Sequence, residues 1–110
     1  MYSFRKVTLA DGSENLVMDF SDSKLQLMSA FLFTEAGPFR QEILEKIEVV
    51  KQNNWKHEIF EGNVFYVEMS KRVIYLENQL TEETLQVESN LFFDLFTIWI
   101  KETNHFYQKK

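Results

Sequence analysis

Residues 55–77 read WKHEIFEGNVFYVEMSKRVIYLE. Aromatic and β-branched side chains alternate there with polar ones, and Gly62-Asn63 and Ser70-Lys71 interrupt the runs. The pattern predicts three strands, Trp55–Phe60, Asn63–Met69 and Arg72–Glu77, joined by tight turns. Strands separated by so few residues pair antiparallel, because a parallel return needs a long crossover. Side chains alternate across a strand, so Phe65, Val67 and Met69 fall on the core face with Ile74 and Leu76. Val64, Tyr66 and Glu68 then share the opposite face with Val73, Tyr75 and Glu77. Glu58 and Phe60 of the neighbouring strand are expected to join them.

Downstream, the polar stretch Asn78–Glu83 reads as a loop and Thr84–Val87 as a short strand. Ser89 is placed to cap a last helix from Asn90 to about Tyr107. Leu91, Leu95, Ile98, Trp99 and Phe106 lie on one side of it. Phe92, Phe93, Phe96, Ile100 and Tyr107 widen the apolar arc. Asp94, Thr97, Lys101, Asn104 and His105 form the polar stripe. A helix this apolar lies against a sheet and touches a second element as well.

Upstream, Phe39 to about Gln52 is an amphipathic helix. Phe39, Ile43, Ile47 and Val50 form its stripe, with Leu44 beside them, and Gln41, Glu45, Glu48 and Gln52 face away. Asn53-Asn54 closes it. Before it, Lys24 to about Glu35 reads as a helix capped by Ser21, Asp22 or Ser23, with apolar residues all round its axis. Either the rest of the chain or a second copy must enclose it, and enclosure within a monomer is the expectation. Gly37 ends it and Pro38 suits the next first turn. The chain opens on a hairpin, Tyr2–Leu9 and Leu16–Phe20, turned at Asp11-Gly12. The fold class is therefore α+β. We expect a single domain, residues 1–110, with a mostly antiparallel sheet of about five or six strands. Two helices are inserted after the first hairpin, and a C-terminal helix packs on the sheet.

The 110 residues hold 12 Lys+Arg against 17 Asp+Glu, a formal charge of −5. Phosphate binding needs clustered cations and the basic residues are scattered, so no nucleic-acid partner is expected. Eleven phenylalanines point to an aromatic core. No cysteine is present, which removes disulfides, thiolate metal sites and a thiol nucleophile. Neither a secretory leader nor a run of about 20 apolar residues appears, so the expected compartment is the cytoplasm, away from membranes.

Catalysis finds little to work with. His57 and His105 fall on different elements, and there is no nucleophile elbow or Gly-rich phosphate loop. His57-Glu58-Ile59-Phe60-Glu61 begins like a zincin motif, but that motif works on a helix, and on a strand Glu58 points away from Glu61. Neither a metal nor another cofactor is expected, and the chain is not read as an enzyme. The tyrosines and carboxylates of the middle strands have the composition of a recognition surface, unless a helix covers them or they only pair across strands. The expected partner-binding residues are Glu58, Tyr66, Glu68, Tyr75 and Glu77. Glu45 and Glu48 on the amphipathic helix are the next acidic surface.

Two stretches, EIFEGNVFYVEMSKRVIYLENQL and TLQVESNLFFDLFTIWIKE, cover residues 58–80 and 84–102. Their order of three strands, a short fourth strand and an aromatic-rich helix resembles small acidic immunity proteins of bacterial toxin–immunity systems. The resemblance implies an inhibitor that binds and neutralises a cognate toxin domain, with a basic toxin domain as protein partner. The alternative is a structural or regulatory interaction module, such as an adaptor, a homo-oligomer subunit or a phage-type inhibitor.

Overall fold

The first hairpin pairs β1 (Tyr2–Thr8) with β2 (Glu14–Phe20) in a two-stranded sheet of its own. In this computed structural model, which describes residues 1–53 and 56–108, the other four strands form a second sheet. They are β3 (Glu58–Glu61), β4 (Phe65–Met69), β5 (Val73–Asn78) and β6 (Thr84–Glu88), in the order β3-β4-β5-β6. Every pairing in both sheets is antiparallel. The α+β class and the six strands agree with the sequence reading. The strands are divided between two sheets because helices separate the hairpin from the rest. Trp55, Asn54 and the Lys109-Lys110 tail lie outside the described residues.

The hairpin turns as its sequence requires. Gly12 takes φ +87°, and the Asp11 carboxylate accepts from the Ser13 N–H at 2.9 Å. Asp22, one of the three capping candidates, accepts from the Lys24 N–H at 2.9 Å and starts a 3₁₀ turn, Ser23–Leu25. That turn leads into α1 (Gln26–Phe31) and then a π-helical turn, Leu32–Ala36. This segment is not buried on all sides. Met28, Phe31, Leu32 and Ala36 are buried, whereas Gln26, Ala30, Phe33 and Thr34 are exposed. Gly37 stays in the right-handed helical region instead of providing a left-handed stop.

Helix α2 (Arg40–Gln52) buries Ile43, Ile47 and Val50, the stripe that its spacing predicts, and packs on β3 and β4. Helix α3 (Ser89–Gln108) follows β6 without an intervening residue. The Ser89 hydroxyl donates to the Ser70 carbonyl at 2.6 Å and ties the helix to the β4–β5 turn. Helices α1 and α3 each pack against both β2 and the β5–β6 half of the second sheet, so the helices form a middle layer.

The phenylalanines fill that layer. Phe31 meets Phe65 at 5.3 Å and Phe60 at 6.2 Å between ring centroids, in edge contacts. Phe92, Phe96 and Trp99 continue the cluster along α3, with Phe96 stacked on Trp99 at 5.4 Å. Leu95 and Trp99 are buried as expected, while Ile98 is only half-buried, because Phe92, Phe96 and Thr103 occupy the middle of the packed stripe.

The uncovered sheet face and its tyrosine–glutamate quartet

All three helices lie on one face of the second sheet. Phe60, Phe65, Val67, Met69, Ile74, Leu76 and Val87 point into them and are buried. The opposite face is not covered by any described element. The strand register lays it out as a grid. One row runs Glu61, Tyr66, Glu77, Thr84, and the next runs Ile59, Glu68, Tyr75, Gln86. Val73 and Glu88 begin a third.

The register corrects one part of the sequence reading. Glu58 stands opposite Met69, and Phe60 opposite Val67, so both are on the core face. Phe60 is fully buried there, and Ile59 and Glu61 take the open positions. Glu58 sits at the margin of the core face, where its carboxylate pairs with the Lys46 ammonium of α2 at 3.5 Å. It lines a shallow depression with Glu42, Glu45, Lys46 and Val49. The expected site therefore splits. Tyr66, Glu68, Tyr75 and Glu77 come together on the open sheet, and Glu45 and Glu58 lie on the α2 side with exposed Glu48 on the same helix. Val64, expected on the open face, precedes β4 and packs against the core.

At the centre of the open face the four residues alternate. Tyr66 faces Glu77 across the strands, and Glu68 faces Tyr75. The Tyr66 hydroxyl donates to Glu68 Oε1 at 3.0 Å, and the Tyr75 hydroxyl donates to Glu77 Oε1 at 3.2 Å. The two rings meet edge to face, 6.4 Å apart. Desolvation, followed by the hydrogen bond to the adjacent carboxylate, raises the pKa of each phenol above its ordinary value. Both tyrosines therefore stay neutral donors. Among the described residues, none of Glu61, Glu68, Glu77 and Glu88 has a cationic partner. A depression of about 320 Å³ beside Tyr75 and Glu68 is bounded by His57, Ser70, Val73 and Gln86.

Glu35 supports this face from below, a role that the sequence reading missed. It is 3% exposed, and its Oε1 accepts from the N–H groups of Val64 at 2.8 Å and Phe65 at 3.2 Å. It thereby fixes the turn that leads into β4. Gly62 makes the approach possible, since a Cβ there would stand 1.9 Å from Glu35 Oε1. A signal was available: Glu35 follows Met28, Phe31 and Leu32 at helical spacing, so it is a carboxylate on a buried stripe.

Histidines His57 and His105 are both exposed, the first ahead of β3 and the second on α3. Ser70, next to His57 in the depression, has its hydroxyl committed to the turn, donating to the Val73 carbonyl at 2.9 Å and accepting from the Val73 N–H at 3.2 Å. Among the described residues, no group of three or more acidic or histidine side chains is placed to hold a metal ion. No described helix is long and apolar enough to cross a membrane. The chain matches no family model, no curated protein and no solved structure.

Proposed function

We propose that this domain is a non-catalytic binding protein of the immunity type, which occludes a basic toxin domain through its open sheet face. The observation that carries the reading is the quartet of Tyr66, Glu68, Tyr75 and Glu77 on a face without a lysine or arginine in its strands. Tyr66 and Tyr75 are half-buried on this uncovered face, and rigid rings of this kind, easily desolvated, are the usual character of interface anchors. The surrounding carboxylates favour a basic partner and speed its approach. Exposed Ile59 and Val73 add apolar area at the edges of the patch. With the Ser70 hydroxyl held by its own turn and the histidines on separate elements, binding accounts for the face better than turnover does.

The test is to produce the chain together with the polypeptide encoded beside its own gene, and to follow growth and complex formation. The expected result is restored growth and a stoichiometric complex, both lost in the Tyr66→Ala/Tyr75→Ala variant. Growth arrest that persists with the wild-type chain, or full protection by the double variant, overturns the reading.

A further inference from the structure

We infer that the quartet is a pair of symmetry-related subsites that accept two arginine side chains, about one strand repeat apart, from the same segment of a partner. The inference rests on the reading of the open sheet as the partner-binding face.

The pairing Val67 with Leu76 lies midway between Tyr66–Glu77 and Glu68–Tyr75. A local two-fold axis through that pair, normal to the sheet, exchanges Tyr66 with Tyr75 and Glu68 with Glu77. The hydrogen bonds obey the same symmetry, since each phenol donates to the glutamate two residues further along its own strand. Each ring therefore has a carboxylate directly across from it, Glu77 for Tyr66 and Glu68 for Tyr75. Each hydroxyl binds Oε1, and among the described residues no ion pair engages either carboxylate, which leaves Oε2 of both available.

This combination selects a planar cation. A guanidinium can lie on a tyrosine ring and present its edge to the carboxylate alongside. An ammonium is a strongly hydrated point charge and gains less from the ring. The ring centroids are 6.4 Å apart. Alternate residues of an extended chain are separated by about 6.4–6.8 Å. An extended Arg-x-Arg segment thus matches the spacing, whereas adjacent arginines on such a chain point to opposite sides. The subsites differ in their surroundings. Glu61 adds a second flanking carboxylate at Tyr66, and the depression walled by Val73 and Gln86 gives the side chain at Tyr75 a partly enclosed seat.

The experiment titrates the intact chain with capped pentapeptides and follows the backbone amides of residues 66–68 and 75–77 by NMR. The probes are Thr-Arg-Thr-Arg-Thr, Thr-Lys-Thr-Lys-Thr and Thr-Arg-Arg-Thr-Thr. The Arg-x-Arg peptide should bind with a Kd of about 1 mM or tighter. It should bind roughly fivefold or more tightly than either other peptide, and roughly tenfold more tightly than it binds the Glu68→Gln/Glu77→Gln variant. Equal binding of the lysine peptide or the adjacent-arginine peptide overturns the inference. So does an unchanged affinity in the glutamine variant, or the absence of shifts in these strands. If the peptides fail while Tyr66→Ala/Tyr75→Ala still loses the cognate complex, the arginine subsites fall and the binding face stands. If that double variant binds its cognate partner normally, the face itself is wrong.

Discussion

At the scale of single residues, Tyr66 and Tyr75 carry the strongest expectations. Changing both to Ala should weaken partner binding by about 2–4 kcal/mol, mainly through faster dissociation, as surface plasmon resonance would show. The fold should persist, because neither ring contributes to the core. Their phenols also predict a pH effect. A folded pKa above the ordinary 10.0 adds stability that is present below pH 10 and lost as pH rises through the folded value. The thermal midpoint should therefore fall more steeply above pH 10 in the wild type than in Glu68→Gln/Glu77→Gln, where that hydrogen bond to a carboxylate is gone. A second residue pair is tested by a mutant cycle. Glu35→Ala strands two backbone donors and should cost about 2–4 kcal/mol. Gly62→Ala should cost about 1–3 kcal/mol by driving a methyl into the carboxylate. The two costs should fall short of additive by about 1–2 kcal/mol, because removing Glu35 frees the space that the methyl needs. Additive costs in urea unfolding would refute this close contact.

Among the elements, α3 has the largest share in the core. Trp99 is 3% exposed, stacked on Phe96, with the Arg40 guanidinium 4.9 Å from its ring centre. Arg40 also donates to Thr103 Oγ1 at 3.2 Å and to Asn104, and so joins the start of α2 to α3. Trp99→Ala should cost about 3–5 kcal/mol in chemical denaturation, and a negligible shift of the midpoint would count against this packing. The elements also show what the sequence could convey. β4 and β5 alternate strictly, so their faces were legible, and with them Tyr66, Glu68, Tyr75 and Glu77. β3 reads Glu58-Ile59-Phe60-Glu61, two apolar residues between two acidic ones, and that pattern has no parity. Its register is set by the Gly62 turn, whose N–H donates to the Phe65 carbonyl at 2.9 Å, and by Lys46 drawing Glu58 toward α2. Both contacts lie outside the strand itself, which is why Glu58 was assigned to the wrong face. The separation of the hairpin from the main sheet was hidden for a similar reason, since it depends on which side of the helices β2 packs.

For the molecule as a whole, one core cluster runs from Met18 to Trp99 and encloses the buried side of α1 within the same chain. Enclosure removes the main reason to expect a second copy, and sedimentation at micromolar concentration should give a monomer. A stable dimer there would show that exposed Phe33 and its neighbours are covered by another chain. The connection of β6 to α3 has a consequence of a different kind, which concerns the order in which the polypeptide is made. Synthesis runs from the N-terminus, so the four-stranded sheet emerges before the helix that covers much of its inner face. The 20 residues of α3 take roughly one to four seconds to add at about 5–20 residues per second. During that interval Ile74, Leu76 and Val87 lack the cover that α3 gives them. A chain truncated after Glu88 should therefore bind a hydrophobic dye and recruit chaperones, and both signals should be absent from the full chain with α3 in place.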